Sequence, residues 1–319
     1  MATSQSVRDR NLFWINVSTF SWNLGLGASI PVVPLLAYQF VPDLALAGFV
    51  VAIGGAARLF SGYFTGPLGD RFGRLGIMRL GVFIRMVFSF MEGLADGYLP
   101  LVIYRFFSSI GTSVYGTGVT VMMADLATRR DRGSIAGRRS SLAQMGNVLG
   151  PVVGGALWAY TGDLRTPFLF NGFTKLVCMI IFMTVVRETK GYQVEEEATA
   201  ASAPTPAAAS APVAAAASTP APQAAPEHIT LRSLMSGPFF LTLYAAFTAS
   251  LFQQGVQYTV LAVYVKDILQ LPQADIGLVL SSINLGQLLV GFPAGTIVDR
   301  WGIRAGILPG GGIAAAALG

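Results

Sequence analysis

Residues 66–74 read Gly-Pro-Leu-Gly-Asp-Arg-Phe-Gly-Arg (GPLGDRFGR), an abrupt polar break between two long apolar runs. Residues 295–304, Gly-Thr-Ile-Val-Asp-Arg-Trp-Gly-Ile-Arg (GTIVDRWGIR), repeat the pattern in the same kind of setting. Aligned, Gly62, Gly66, Asp70, Arg71, Phe72 and Gly73 correspond to Gly291, Gly295, Asp299, Arg300, Trp301 and Gly302. Any short polar break collects Gly and Arg, but this spacing recurs at equivalent points in two series of apolar runs. Such an echo is the mark of a chain built from two related halves around a central pathway. The reading expects both breaks to be loops, with glycines permitting a tight turn and close helix approach. Their arginines can anchor at lipid headgroups or pair with acids, and Asp can lie near a helix N-terminus.

The surroundings of these breaks decide the solvent. Of 319 residues, 53% are hydrophobic and only 12% charged, about half the charged share of a soluble domain; the mean hydropathy is +0.59. Runs long enough to cross a bilayer, about 20 residues each, occupy 12–40, 44–65, 77–95, 98–124, 141–160, 167–186, 239–265 and 276–298. A ninth starts near 305 and spans about fifteen residues, short of a crossing, so the reading expects a chain cut inside a helix. Residues 195–226 are almost all Ala, Pro, Ser, Thr and Glu, a composition without bulky apolar groups to bury, which predicts a disordered linker. The expected organisation is therefore a six-helix transmembrane bundle over 1–190, a cytoplasmic Ala/Pro-rich linker over 191–232, and a partial second bundle over 233–319.

Lys and Arg fall unevenly on the alternate sides of these spans. About fifteen collect on one side against Arg165 and Lys266 on the other, which makes the rich side cytoplasmic. The N-terminus and linker follow it, in a multi-pass protein of the plasma (inner) membrane. The basic pI near 9.5 is then a topology signal, and nucleic acid is not an expected partner. One Cys (Cys178) and one His (His228) supply no disulfide framework and no zinc cluster, so no metal or cofactor is expected. Neither a P-loop, a nucleophile elbow nor an H-E-x-x-H motif is present, which argues against an enzyme.

With these residues in view, the chain resembles the major facilitator superfamily. GYFTGPLGDRFGR (62–74 at its core) is similar to that family's signature between spans two and three, with Leu75 where a second basic residue is common. The resemblance implies an all-α membrane fold of two six-span bundles, of which this chain carries about eight complete helices and part of a ninth. It also implies a cytoplasmic gate from Gly66, Asp70, Arg71, Gly73 and Arg74, with Asp125 of span four, and from Gly295, Asp299, Arg300, Gly302 and Arg304 in the second half. Arg105 in YRFFSSIGTS matches the family's span-four arginine, and GNVLGPVVGG (146–155) resembles a span-five motif frequent in antiporters and drug exporters. That motif also reads physically. Gly146, Gly150 and Gly154 share one helical face for close packing, while Pro151 and Gly155 add a hinge.

Polar residues inside spans are costly in lipid and should face a wet interior. Asn16, Asn23, Arg105, Thr112, Gln253, Gln257 and Asn284 are the candidate substrate pathway. Arg58 and Arg85 sit where they can snorkel to the interface. Glu92 is the sole carboxylate well inside a span, level with Arg105, and the two form a candidate coupling pair. Spans one and seven hold no acid, so proton exchange rests on Glu92 or on an acid outside this chain. A net basic interior favours neutral or anionic solutes. The expected function is alternating-access movement of a small solute, of efflux or antiport type and with protons as a candidate partner. Uptake by symport or facilitation, and a non-transporting membrane scaffold, are the rival readings.

Overall fold

The computed structural model describes residues 4–127, 131–189 and 259–301. Among them the secondary structure is helical. Helix α1 runs Ser4–Ser29 and α2 Val32–Phe40; α3 spans Leu44–Phe72, α4 Arg74–Gly93, α5 Tyr98–Leu126, α6 Arg132–Thr161 and α7 Thr166–Thr184. After the undescribed stretch come α8, Leu261–Asp267, and α9, Gln273–Trp301. The proposed linker and the seventh span up to residue 258 lie outside the described residues.

Local chemistry sets the boundaries. The first span is two helices, with Pro31, which has no N–H to donate, at the break between them. Asp43 starts α3 by accepting from the amides of Ala45 (2.7 Å) and Leu46 (3.4 Å). Gly73, at φ +81°, is the entire turn between α3 and α4, and Gly162 at φ +72° closes α6 in the left-handed region.

One expectation needs correcting here. Residues 66–71 are not a loop: they are the last turns of α3, with Pro67 inside the helix, and the chain reverses only at Gly73. Residues 295–301 likewise belong to α9. Gly and Pro are tolerated where packing rather than propensity decides the backbone. The repeat extends back from its motif: in the register that aligns Phe72 with Trp301, the first residues of α3 and α9, Leu44 and Gln273, also coincide.

The helices pack as α4 on α5 and α7, α1 on α6 and α7, α3 on α5, and α9 on α6. Two apolar clusters organise them. One gathers Leu35, Leu36, Leu101, Phe168, Val265 and Ile276; the other gathers Ile15, Met78, Val82, Met122, Phe182 and Val186 near the arginine-rich turns. On α4, α5 and α7 a polar layer separates them. Arg85, Ser89 and Glu92 lie between Val82 and Ala95, Arg105, Ser108 and Ser109 between Leu101 and Val114, and Asn171, Thr174 and Lys175 between Phe168 and Cys178, all buried. The stretches 6–40, 44–62 and 166–184 are each long and apolar enough to cross a bilayer alone. The helices α4 to α6 carry more polar side chains, which this layer absorbs in the first two.

Candidate functional site

The centre of the polar layer is Glu92, fully buried on α4. Its Oε1 accepts from the Ser108 hydroxyl at 2.5 Å. The same oxygen lies 3.6 Å from Arg105 Nη1 and 3.8 Å from Arg85 Nη1. Arg85, Ser89 and Glu92 stand at i, i+4 and i+7 on one face of α4, so two helices place two guanidiniums about one carboxylate. Arg85 is 1% exposed and does not snorkel, which corrects the sequence reading; Arg58 is exposed. Glu92 Oε2, Arg85 Nε and Nη2, and Arg105 Nε have no hydrogen-bond partner among the described residues. A single carboxylate cannot saturate two forks of five N–H donors each.

Beside it lies a neutral bridge. Asn171 Nδ2 of α7 donates to Ser29 Oγ and Ser89 Oγ, both at 3.1 Å, tying α7 to α1 and α4. One turn on, Lys175 is fully buried and donates to the Trp22 carbonyl at 2.8 Å and to Thr174 Oγ1 at 3.3 Å. Its ammonium sits 4.5 Å from the centre of the Trp22 ring, which stacks on Tyr115 at 3.8 Å.

The second region is the seam of α1, α6 and α9. A Cβ on Gly150 would come within 2.6 Å of Gly27 Cα, and one on Gly146 within 2.8 Å of Phe20 O and Leu24 N. At Gly154 it would overlap the Ala28 backbone. The three-glycine face of α6 therefore lies in backbone contact with α1. Gly155 faces the other way, where a Cβ would stand 3.1 Å from Gly277 of α9. Pro151 lies inside an uninterrupted helix. Next to this seam a cavity of about 150 Å³ is lined by Asn23, Asn147 and Asn284, with Leu26, Ile30 and Pro151 among its apolar walls.

The third region is the arginine-rich end. Arg74 Nε donates to Asp125 Oδ2 at 3.1 Å. Glu188, just past α7, accepts from the amides of Arg74 (3.1 Å) and Leu75 (3.0 Å), capping α4. Thr189 Oγ1 also donates to Asp125, at 3.4 Å. Arg8 bonds Asp131 and the Leu126 carbonyl, and Asn11 exchanges hydrogen bonds with the Arg187 backbone. Arg71 is exposed, 6.0 Å from the Phe72 ring centre.

The sequence-chosen residues are therefore dispersed over these regions. Glu92 joins Arg105, and Asn23 joins Asn284, whereas Thr112 bonds its own helix at the Ser108 carbonyl. The Oδ1 of Asn16 is buried without a partner among the described residues. Gln253, Gln257, Gly302 and Arg304 lie outside the described residues, as do the side chains of Asp70, Asp299 and Arg300. Sequence reasoning missed Arg85, Asn147, Asn171 and Glu188 as members of these clusters. Asn147 stands inside the very motif read for its glycines, and Arg85 and Glu92 carried a heptad signal.

The profile of the Major Facilitator Superfamily matches residues 15–319. Over 186 residues the chain is 25% identical to "Quinolone resistance protein NorA" of Staphylococcus aureus, covering 57% of this chain and 46% of that protein. It is 29% identical over 165 residues to "Multidrug resistance protein 1" of Bacillus subtilis, covering 52% and 42%. The chain thus spans under half the length of these relatives. Among solved structures, a bacterial homolog of the human lysosomal transporter Spinster, inward-facing and unoccupied, superposes with a TM-score of 0.70 at 16% identity, over 95% of this chain and 64% of that one. A D-xylose-proton symporter superposes with a TM-score of 0.61 at 16% identity, over 91% and 70%.

Proposed function

The chain belongs to the Major Facilitator Superfamily, a family of membrane transporters rather than enzymes, and we propose that it serves as an efflux carrier exchanging a small amphipathic solute for protons. The observation that carries this reading is Glu92, held at 3.6 and 3.8 Å from two arginines by one oxygen. A carboxylate between two cations is in two near-equal pairings, so a helix shift of about an ångström exchanges its partner. Such a bistable contact is what a coupling step needs. Loss of the charge at this position, as in Glu92→Gln, would free both arginines and so tie the charge state of the layer to the arrangement of the bundle. The resistance functions named for the relatives at 25% and 29% identity favour the outward direction.

In this reading Arg74, Asp125 and Glu188 close the arginine-rich end, which faces the cytoplasm with the N-terminus. Asp70 and Arg71, with Asp299 and Arg300 of the echoed helix, belong to the same gate. The backbone contacts of Gly146, Gly150 and Gly154 seal the opposite part of the bundle, with Gly155 against α9. Residues 191–232 link the two halves.

Reconstitution of the chain into vesicles under an imposed pH gradient tests the proposal. Movement of a neutral amphipathic dye against the proton flow, lost in Glu92→Gln, is the expected result. Dye movement with the proton flow would convert the reading to symport. Absence of flux with Arg71→Ala indistinguishable from wild type would leave a membrane scaffold.

A further inference from the structure

The cavity between α1, α6 and α9 has a chemistry that assigns a class of solute. Its volume, about 150 Å³, holds about five water-sized groups at ~30 Å³ each. Its polar lining is three carboxamides, one from each helix: Asn23, Asn147 and Asn284. Their orientation follows from their partners. Asn23 Nδ2 donates to the Thr19 carbonyl at 2.7 Å. Asn284 Nδ2 donates to the carbonyls of Leu280 at 3.2 Å and Asn147 at 3.3 Å. Backbone carbonyls only accept, so the NH₂ ends are committed to the protein and the oxygens turn away from it. Asn147 Nδ2 donates to a side-chain carboxamide, Gln144 Oε1, at 3.1 Å.

No hydrogen bond among the described residues reaches the three Oδ1 atoms. Each oxygen carries two lone pairs, while only Asn23 and Asn147 retain one further N–H each. The cavity is therefore rich in acceptors and poor in donors. Among the described residues no Asp, Glu, Lys or Arg lines it, so these offer neither a counter-charge for an organic cation nor a donor cluster for an anion. At Pro31 and Pro151, which both cavities share, it borders a smaller apolar crevice lined by Val32, Leu35, Trp158 and Leu280.

We infer that this cavity is a binding subsite for the hydroxyl or amide N–H end of a neutral amphipathic solute, with Asn23, Asn147 and Asn284 as the acceptors that read it. The inference names the substrate class of the pathway proposed above and rests on that reading for its physiological meaning. Asn147 acts directly on the ligand here, and its glycine neighbours bring α1 close enough for Asn23 to share the space. Removing the donor from a ligand leaves buried acceptors unpaired, which a site built this way penalises strongly.

The test uses the full chain in lipid nanodiscs and four single-ring probes of similar size: phenol, anisole, benzylammonium and benzoate. Saturation-transfer NMR reads contact with the protein, and competition among the probes reads relative affinity. Phenol is expected to bind at least about threefold more tightly than anisole, its donor-free methyl ether, and more tightly than either ion. Asn147→Leu and, separately, Asn284→Leu should erase that preference, with unchanged melting midpoints certifying the fold. Equal binding of phenol and anisole, a preference for benzylammonium or benzoate, or a phenol preference that survives both variants would overturn the inference. The wild-type ratio decides even where a variant does not fold. Selective phenol binding without any vesicle flux would sink the transport reading while leaving the subsite standing; flux without selectivity would do the reverse.

Discussion

Replacing Glu92 by Gln is the most informative perturbation of the polar layer. The substitution keeps shape and hydrogen-bonding capacity for Ser108 but removes the one carboxylate among the described residues that faces Arg85 and Arg105. With an effective dielectric near 20, charges at 3.6 and 3.8 Å attract by about 4–5 kcal/mol each. Much of this offsets the cost of burying the three ions. What the variant exposes is the uncompensated remainder, about 3–5 kcal/mol for breaking a buried pair from one side. Both guanidiniums are ~90% or more buried and neither can reach water without repacking. At roughly 2–4 °C per kcal/mol for a bundle of this size, the melting midpoint should fall by about 6 °C or more. Thermal unfolding in detergent, followed by tryptophan fluorescence, measures it. The double variant Glu92→Gln with Arg85→Gln should recover part of the loss, because it removes one of the two stranded charges. A single variant melting within 1 °C of wild type, or a double variant less stable than the single, would refute the electrostatic account of this layer.

Other contacts give sharper geometric tests. Gly150→Leu should prevent α1 from seating on α6, since even a Cβ would meet Gly27 backbone at 2.6 Å; crosslinking between paired cysteines at positions 23 and 147 should fall with it. Gly73→Ala combines an unfavourable φ of +81° with a Cβ 2.7 Å from Glu188 Oε2, and should cost about 1 kcal/mol or more in the same melt. Lys175→Met removes a buried charge that faces a carbonyl and an indole rather than a carboxylate. It should leave stability unchanged or raise it slightly, while shifting Trp22 emission as the cation over its ring disappears.

Much of this architecture was legible because membrane helices are long and the repeat is strict. The echo at residues 66–74 and 295–304 predicted equivalent positions, and α3 and α9 start at matching residues in that register. The glycine spacing in 146–154 predicted a close helix approach, and the α1 backbone is what lies against it. What sequence obscured was azimuth. Depth along a span placed Arg85 near an interface, yet its side of α4 is the side of Ser89 and Glu92, pointing inward. Gly and Pro in 66–71 suggested a loop because their propensities are weak priors that packing overrides. Asn147 was overlooked since the surrounding glycines already explained the motif.

The misplaced azimuth of Arg85 and the overlooked Asn147 have one physical origin, and it bears on how the molecule works. In lipid, a polar side chain costs so much that its direction is set by the partners it finds on other helices, which no local pattern specifies. Asn171 joins Ser29 and Ser89 from three helices, and Glu92 draws on α4 and α5 together. The polar layer therefore exists only in the assembled bundle, where α4, α5 and α7 each contribute a buried patch at matching depth between two apolar clusters. The clusters above and below resist shear, whereas the layer holds several unsatisfied donors and acceptors on Arg85, Glu92, Arg105 and Asn171. In the proposed carrier cycle, those groups would gain contacts in another arrangement of the same helices. Were Glu92 and its arginines merely structural, neutralising all three together should leave flux intact. If they set the balance between two arrangements, the triple-neutral protein should fold and bind yet lose its response to a pH gradient.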